Sequence, residues 1–323
     1  MPMTCSDSDQ ALSELLRLLA GRHYRFVTPT PLTHGRVLAR ADRGMARTAT
    51  DIFGWNLPFS RVVAGAELFA LMQAAGILRT EDSGFRSAVR VSTLDGALFV
   101  HSAYPTLSDS AVFFGPDTYR FANFVRANLP SRQAALRCVD VGCGSGAGAI
   151  ATARRLRASS WLLTDINPAA LRLAAINARQ AGVPVETVLS DVLAATQGGF
   201  DLVICNPPYL ADVRQRAYRH GGGSLGRELS LRIVAETCER LNPGGRLLLY
   251  TGIAMVGGED PFLAELHGLL DARAYDWDYA EIDPDVFGEE LELPAYAAVD
   301  RIAAVGLVVR KPDGLNSTAD RAE

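Results

Sequence analysis

The chain has 323 residues, of which 48% are hydrophobic and 21% charged, and its formal net charge is −4. Domains usually hold roughly 100–200 residues, so this length predicts two domains. The acidic balance excludes a protein that coats nucleic acid through bulk charge, although a local basic patch stays open. No apolar run reaches the roughly 18 residues of a membrane-spanning helix, so no membrane partner is expected.

The first third of the chain predicts a smaller α+β domain, residues 1–108. Two segments with helical spacing are followed by two strand-like runs: residues 10–20, 64–76, 85–92 and 97–101. Asp95-Gly96 between the two runs is a strong signal for a β-hairpin. A winged-helix-like substrate domain and a plain lid domain both fit this pattern.

From residue 109 strands and helices alternate, which predicts an α/β domain with a Rossmann-like, doubly wound and mostly parallel sheet of seven strands. The strands are expected at residues 137–141, 161–165, 185–189, 200–205, 246–250, 275–282 and 302–309. This domain should span residues 109–312, with a polar tail at 313–323. Ligands of such sheets bind at the carboxyl ends of the strands.

The cysteines predict a reduced, cytoplasmic protein. None of the five forms a C-x-x-C pair, and their spacing does not suit a metal site, so no metal is expected. They are Cys5, Cys138, Cys143, Cys205 and Cys238. The amino terminus lacks the charged start and apolar core of a signal peptide. The sequence does not indicate an oligomeric state.

A glycine-rich loop follows the first strand of the sheet and opens a helix. Glycine lets the backbone approach a ligand closely, and a helix N-terminus supplies free N–H groups. The loop candidates for cofactor binding are Gly142, Cys143, Gly144 and Gly146. By itself the loop nearly fits the dinucleotide fingerprint as well. Asp165 ends the second strand, where a carboxylate can accept both hydroxyl hydrogens of an adenosine ribose.

Asp140, at the start of this loop, distinguishes the two kinds of cofactor. Asp140 through Gly146 resembles the D-x-G-x-G-x-G motif of class I methyltransferases that use S-adenosylmethionine (SAM), whereas a dinucleotide site has little use for this acid. The resemblance implies that Asp140 anchors the methionine part of SAM. It also implies that Asp191, after the third strand, faces the adenine amino group and that the Val192 N–H faces the ring.

The most specific motif is Asn206-Pro207-Pro208-Tyr209, directly after the fourth strand. It resembles the [ND]-P-P-[YFW] motif of amino-methyltransferases, in which these four residues form the catalytic loop. An amide or ring-attached amine is a poor nucleophile because its lone pair is delocalised. The Asn206 side-chain carbonyl and the Pro207 backbone carbonyl can each accept one N–H of the target, which aims that lone pair at the methyl group. Proline presets the loop, and Tyr209 could stack on a planar acceptor.

Residues 110–255 resemble class I enzymes of the small-methyltransferase type, and most closely the protein-glutamine N5-methyltransferases that act on release factors. Three segments carry this resemblance: Gly115-Pro116-Asp117-Thr118, Thr164-Asp165-Ile166-Asn167 and the glycine-rich loop Gly221–Gly226. The resemblance implies that Thr118 and Ile166 also lie at the cofactor.

The chain also departs from that group. Gly115 stands where the group has Arg, and the E-P-x-x-A-L stretch after the proline motif is replaced by a region with four potential cations. These are Arg214, Arg216, Arg219 and His220. They could meet a phosphate or carboxylate, or form a solvated face.

The sequence therefore predicts a SAM-dependent N-methyltransferase acting on a planar nitrogen, and it leaves the acceptor open. A protein amide, an exocyclic amine of an RNA or DNA base and a small metabolite all fit the motif. Three other classes stay as alternatives: a nicotinamide oxidoreductase, a SAM-binding protein that transfers no methyl group, and an enzyme that uses SAM for a reaction other than methylation.

Overall fold

A computed structural model describes residues 6–106, 108–130, 135–156, 159–212, 218–223, 225–271 and 275–313 of the chain. It divides into two compact units. Unit 1 comprises Met1–Ala122, Gly144–Arg154 and Asn167–Val185, and unit 2 comprises Asn123–Cys143, Arg155–Ile166 and Glu186–Glu323. The expected domain boundaries after residues 108 and 312 stay a prediction.

Unit 1 begins with four helices: α1 (Asp7–Gly21), α2 (Pro31–Leu38), α3 (Ala49–Phe53) and α4 (Arg61–Ala74). Leucines at helical spacing on α1, including Leu12, Leu16 and Leu19, are buried in the core of this unit. Gly76 follows α4 with a φ of 67°, as expected of the glycine that ends a helix. Helices α1 and α4 are those predicted from the sequence, whereas α2 and α3 were missed because each is short.

Two antiparallel hairpins follow: β1 (Leu78–Glu81) with β2 (Gly84–Ser87), and β3 (Val89–Leu94) with β4 (Ala97–Ser102). Asp95 and Gly96 join β3 to β4 with φ of 49° and 77°, which are the positive angles of a two-residue hairpin turn. This hairpin is as predicted. The single run expected at residues 85–92 is in fact two strands, because the chain breaks at Ala88, whose N–H donates to Ile77.

Helix α5 (Pro116–Ala127) crosses the boundary between the units at Ala122. The next two helices, α6 (Ala147–Ala153) and α7 (Pro168–Ala181), belong to unit 1. Asn167 caps α7 by accepting from the Ala169 N–H at 3.0 Å, and Gly182 ends it with a φ of 69°. Both caps were predicted from the Asn-Pro and Gly signals.

Unit 2 contains the predicted sheet. Its strands are β5 (Arg137–Val141), β6 (Ser160–Asp165), β7 (Glu186–Leu189), β8 (Phe200–Cys205), β9 (Leu241–Met255), β10 (Asp276–Asp283) and β11 (Arg301–Arg310). Within the described residues these seven strands form one sheet in the order β10-β11-β9-β8-β5-β6-β7. Only β11 runs antiparallel to its neighbours among the described pairings, so the fold is the predicted Rossmann-like, mostly parallel α/β sheet.

Strand β9 is much longer than the predicted residues 246–250, since it also includes Asn242-Pro243-Gly244-Gly245. Helices α8 (Glu228–Arg240) and α9 (Pro261–Leu270) supply apolar side chains to the core of unit 2. The apolar strand β8 is buried apart from Asp201, and Asn206 directly follows its carboxyl end.

Candidate active site

The strand register brings the predicted site residues of unit 2 to one edge of the sheet. Val141 of β5 pairs with Thr164 of β6 and with Cys205 of β8, and Asp165 pairs with Leu189 of β7. The residues that directly follow these strands therefore lie side by side. They are Gly142, Ile166, Ser190 and Asn206. This is the edge at which parallel α/β sheets bind their ligands.

The backbone of the glycine loop explains its glycines. Gly142 and Gly144 have φ of 66° and 54°, and a Cβ built on either would meet nothing within 4 Å. Glycine is needed at these two positions for its positive φ and not for lack of space. The space beside them is open to a ligand. Gly146 begins α6 with a φ of 76°, and a Cβ there would lie 3.1 Å from that of Ala174 on α7. That glycine permits close helix packing as well.

The start of the loop is negatively charged. Asp140 is buried at the end of β5, and Asp165 is half-buried. Burial raises the pKa of the Cys143 thiol well above its usual range, and the charges of Asp165 and Asp140 raise it further. Burial and the same two carboxylates also raise the pKa of Cys205. Both thiols therefore stay protonated, and neither is a nucleophile.

These charges decide between the two cofactor classes. SAM carries a sulfonium and an ammonium group, which a site with two carboxylates attracts. The pyrophosphate of a dinucleotide would be repelled by the Asp140 carboxylate at the start of the loop, whereas Asp165 suits the ribose of either cofactor. The residues present therefore fit SAM.

Asp191 and Val192 form a strained turn after β7. Val192 is buried and has a φ of 48°, which is a genuine outlier for a β-branched residue. Such strain persists where the surrounding structure enforces it, and it clusters at ligand sites. The Arg232 guanidinium of α8 pairs with the Asp191 carboxylate and, at 3.1 Å, with Glu236. Sequence reasoning missed Arg232, since no motif marks it.

Asn206 is half-buried, and its side-chain amide makes no hydrogen bond to any part of the chain that the structure describes. The preceding Cys205 thiol donates to the Val141 carbonyl at 3.0 Å, which ties the end of β8 to that of β5. Pro207 is buried and Pro208 half-buried. The amide of Asn206 therefore keeps its hydrogen-bonding capacity for a ligand.

Tyr209 is only 7% exposed. A Cβ on Gly252 of β9 would lie 2.2 Å from its ring, and Phe287 meets the ring edge-on with centroids 5.8 Å apart. In this conformation the ring offers little surface to an acceptor, contrary to the expected stacking. The packing of the Tyr209 ring against Gly252 and Phe287 instead supports the loop that contains the motif.

The glycine-rich loop Gly221–Gly226 packs against the same motif. A Cβ on Gly226 would lie 2.1 Å from the Tyr209 carbonyl oxygen, and one on Gly221 would lie 1.8 Å from that of Gly226. Only glycine fits such close backbone contact. The observed packing gives these two glycines a structural role.

Two of the four potential cations after the motif, Arg214 and Arg216, lie outside the described residues. Arg219 points inward, since it pairs with Glu290 and, at 3.8 Å, with Asp212. His220 accepts the Asp212 N–H on Nδ1 at 3.3 Å. Arg219 is therefore engaged in ion pairs and does not offer a free cation to a phosphate.

Thr118 is buried at the start of α5, where its Oγ1 accepts the Gly115 N–H at 3.2 Å. A Cβ on Gly115 would lie 2.5 Å from the Phe113 ring, so that ring fills the space of the expected Arg. Ile166 is 54% exposed beside Asp165, so its side chain is accessible to a ligand.

Among the residues that the structure describes, no group of His, Cys, Asp or Glu has the arrangement of a metal site. Within the same residues, no helix has the length and apolar character needed to cross a membrane.

Comparison with known proteins agrees with this geometry. Residues 106–255 match the family model of the methyltransferase small domain. The chain is 30% identical over 291 residues to the release factor glutamine methyltransferase of Deinococcus radiodurans, covering 86% of this chain and 96% of that protein. It is 34% identical over 113 residues to the ribosomal RNA small subunit methyltransferase C of Hahella chejuensis, covering 35% of this chain and 30% of that protein.

A solved structure, the 16S rRNA N2 G1207 methyltransferase of Thermus thermophilus in complex with AdoMet and guanosine, is 16% identical with a TM-score of 0.44, covering 79% of this chain and 64% of that chain. The similarity to the Deinococcus protein over nearly its whole length, together with the family model, establishes the family. The chain belongs to the small-domain family of class I methyltransferases. It is a SAM-dependent N-methyltransferase, as predicted, and SAM is its cofactor.

Proposed function

We propose that this enzyme methylates the side-chain amide of a glutamine in a protein, with a release factor as the first candidate acceptor. The observation that carries the proposal is the extent of the similarity. The match to a release factor glutamine methyltransferase covers 96% of that relative, whereas the match to the rRNA methyltransferase covers only 30% of its length. Similarity that includes the region before the catalytic motifs supports a shared acceptor class as well as a shared cofactor.

In this proposal the acidic edge of unit 2 holds the cofactor. Asp140 receives the ammonium group of SAM, Asp165 accepts from the ribose hydroxyls, and Asp191 accepts from the adenine amine. The strained turn at Val192 fixes the backbone beside the ring. SAM supplies the methyl group on a sulfonium, which is already a strong leaving group.

Asn206 does the catalytic work on the acceptor. Its side-chain carbonyl accepts one N–H of the glutamine amide, and the Pro207 backbone carbonyl accepts the other. These bonds turn the nitrogen lone pair out of conjugation and direct it at the methyl carbon. Positive charge then develops on nitrogen, and the two carbonyl dipoles stabilise it. The N–C bond forms as the C–S bond breaks, and the nitrogen loses its extra proton to water.

The surface charge beside the motif favours a protein over a nucleic acid. The chain segment that packs on Tyr209 through Phe287 carries three exposed carboxylates, Asp285, Glu289 and Glu292. A nucleic-acid acceptor would bring phosphates toward these charges, and nucleic-acid binding draws most of its affinity from cations. Arg219 does not offset them, because it is already paired.

The proposal includes a cytoplasmic location. It is supported by the four cysteines of the described residues, which are all buried and form no disulfide: Cys138, Cys143, Cys205 and Cys238.

A direct assay tests the acceptor. The purified enzyme and SAM are incubated separately with release factors and with ribosomal subunits of the same organism, and the products are analysed by mass spectrometry. We expect the mass of one methyl group on a single glutamine of a release factor. No product should form when that glutamine is replaced by glutamate or when the enzyme carries Asn206→Ala. Methylation of rRNA with an unmodified release factor would overturn the proposed acceptor.

A further inference from the structure

The connection between β10 and β11, residues 284–300, contacts the catalytic motif and the residues that follow it. It contains two 3-10 turns, Gly288–Glu292 and Pro294–Tyr296. Both of its ends are tied to the sheet. The Val286 N–H donates to the Ile302 carbonyl at 2.8 Å, and the Asp300 N–H donates to the Met255 carbonyl at 2.9 Å. We call residues 284–300 the clamp segment.

Tyr296 makes the first contact of the clamp segment with the catalytic loop. Its hydroxyl oxygen accepts the Ala211 N–H at 2.7 Å, and the residue is only 2% exposed. Ala211 lies two residues beyond the Asn-Pro-Pro-Tyr motif. The backbone just after the motif is therefore held by one buried side-chain hydrogen bond.

Glu290 makes the second contact. Its buried carboxylate accepts from the guanidinium of Arg219. The Arg219 carbonyl in turn accepts the Leu210 N–H at 3.0 Å, and the Leu210 carbonyl accepts the Gly221 N–H at 3.0 Å. Glu290 thus fixes the short β-bridge that Leu210 forms on the way out of the motif.

Phe287 makes the third contact. Its ring meets the Tyr209 ring with an interplanar angle of 73°. The Phe287 backbone has a φ of 55°, which is costly for a bulky residue and persists only where surrounding contacts enforce it. The clamp segment is therefore strained at the residue that contacts the motif.

We propose that the clamp segment positions Asn206 for methyl transfer, with Tyr296 and Glu290 as positioning residues. Asn206 makes no side-chain hydrogen bond to the described residues, so its position depends on its backbone. That backbone is anchored on one side by β8 and on the other by the clamp segment. A displacement of about 1 Å at a reacting group can cost roughly 100-fold in rate. The inference deepens the proposed function, because its turnover readout uses the same reaction.

Tyr296→Phe is the sharpest test, since it removes only the hydroxyl that holds Ala211. The matched control is Tyr275→Phe, which removes a hydroxyl bonded to the Cys238 backbone carbonyl at 2.9 Å in the same unit. Three quantities are measured for each variant: hydrogen–deuterium exchange of the peptide spanning residues 206–212, the Kd for SAM by calorimetry, and kcat for methyl transfer to the release factor.

For Tyr296→Phe we expect faster exchange in that peptide, an unchanged Kd for SAM and a kcat lowered by ~10-fold or more. The Tyr275→Phe control should leave all three close to wild type. Exchange and kcat that match the control would overturn the proposal. Equal loss of SAM affinity and kcat would also overturn it, because that result indicates general loss of structure.

Glu290 provides a second test. Glu290→Gln keeps an oxygen that can accept from Arg219, whereas Glu290→Ala removes it. We expect exchange and kcat of the Gln variant to lie between those of the wild type and of Glu290→Ala. Equal behaviour of the two variants would contradict a positioning role. If the wild type methylates no release factor, the proposed acceptor fails, while the exchange of residues 206–212 still decides whether the clamp segment holds the loop.

Discussion

A buried polar cluster in unit 1 and the catalytic motif of unit 2 differ in what their hydrogen-bonding groups bind. In unit 1 the Arg90 guanidinium is buried and donates to the Gly54 carbonyl and the Thr28 hydroxyl, and the buried His101 is hydrogen-bonded to Ser92. In unit 2 the key polar group, the Asn206 amide, is half-buried and makes no hydrogen bond to the described chain. Buried polar groups that are hydrogen-bonded to one another are compatible with a stable core. A polar side chain at a strand end with no hydrogen bond to the described chain is available to bind a ligand.

Asn206 of unit 2 and Asn177 of unit 1 extend this comparison. The same substitution to alanine should affect turnover in unit 2 and stability in unit 1. Asn206→Ala should lower kcat by ~10²–10³-fold, since it removes one of the two carbonyls that stabilise the developing charge. SAM affinity, measured by calorimetry, should stay close to wild type. Asn128→Ala is a control, because among the described residues its amide donates to a single group, the Phe124 carbonyl of the preceding helix α5. A parallel loss of kcat and SAM affinity would remove Asn206 from catalysis.

Asn177→Ala should instead unfold the protein more easily. Asn177 is 0% exposed, and its amide bonds to both backbone groups of Val100 and to the Ser145 carbonyl. Its loss leaves three buried backbone groups unpaired, which should lower the free energy of unfolding by ~2–4 kcal/mol. Urea titration measures this effect, and turnover per folded molecule should stay near wild type. A stable variant with lost turnover would break the comparison.

Acid should destabilise unit 1 through its histidines. Burial, and secondarily the charge of Arg90, lower the pKa of His34 from 6.5 to about 4. Between pH 6.5 and about 4, His34 therefore binds a proton in the unfolded chain but not in the folded chain. The contribution of His34 to the free energy of unfolding is fully present above pH 6.5. It decreases by up to roughly 3 kcal/mol as the pH falls toward 4. His101 acts in the same direction, since burial also lowers its pKa.

Urea midpoints at several pH values check this prediction. His34→Gln should reduce the pH dependence of the urea midpoint between pH 6.5 and 4. An acid dependence unaffected by His34→Gln would show that another group controls it.

Asp165→Ala should have the smallest of these effects and should act on cofactor binding alone. Loss of hydrogen bonds from a carboxylate to the ribose should weaken SAM binding by ~10- to 100-fold, which corresponds to about 1.5–3 kcal/mol. Asp276→Ala is a suitable control, because Asp276 lies exposed on β10 and forms an ion pair with Arg310. An unchanged Kd for SAM in Asp165→Ala would contradict the ribose assignment.

Local signals in the sequence were sufficient to predict the motif-bearing edge. Strands β5 and β8 begin and end at the predicted residues, because short apolar runs bounded by glycine, proline or charge mark their ends clearly. The glycines of the loop after β5 permit the positive φ angles that the structure shows there.

Contacts between residues distant in the sequence could not be predicted from local sequence patterns. The clamp segment has no periodicity, since it consists of 3-10 turns, and its contacts join residues about 80 apart in the chain, such as Ala211 and Tyr296. The burial of Tyr209 depends on Gly252 and Phe287, which no pattern near the motif could reveal. The ion pair of Arg219 with Glu290 was missed for the same reason.

The most direct test of the account is transfer of a labelled methyl group from SAM into an extract of a strain that lacks this gene. Wild-type and Asn206→Ala enzymes are added in parallel, and protein, nucleic acid and small molecules are then separated. We expect label in the protein fraction with the wild-type enzyme and at least ~100-fold less with the variant. Label that is equal with both enzymes would contradict the catalytic role of Asn206, and label confined to nucleic acid would contradict the proposed acceptor.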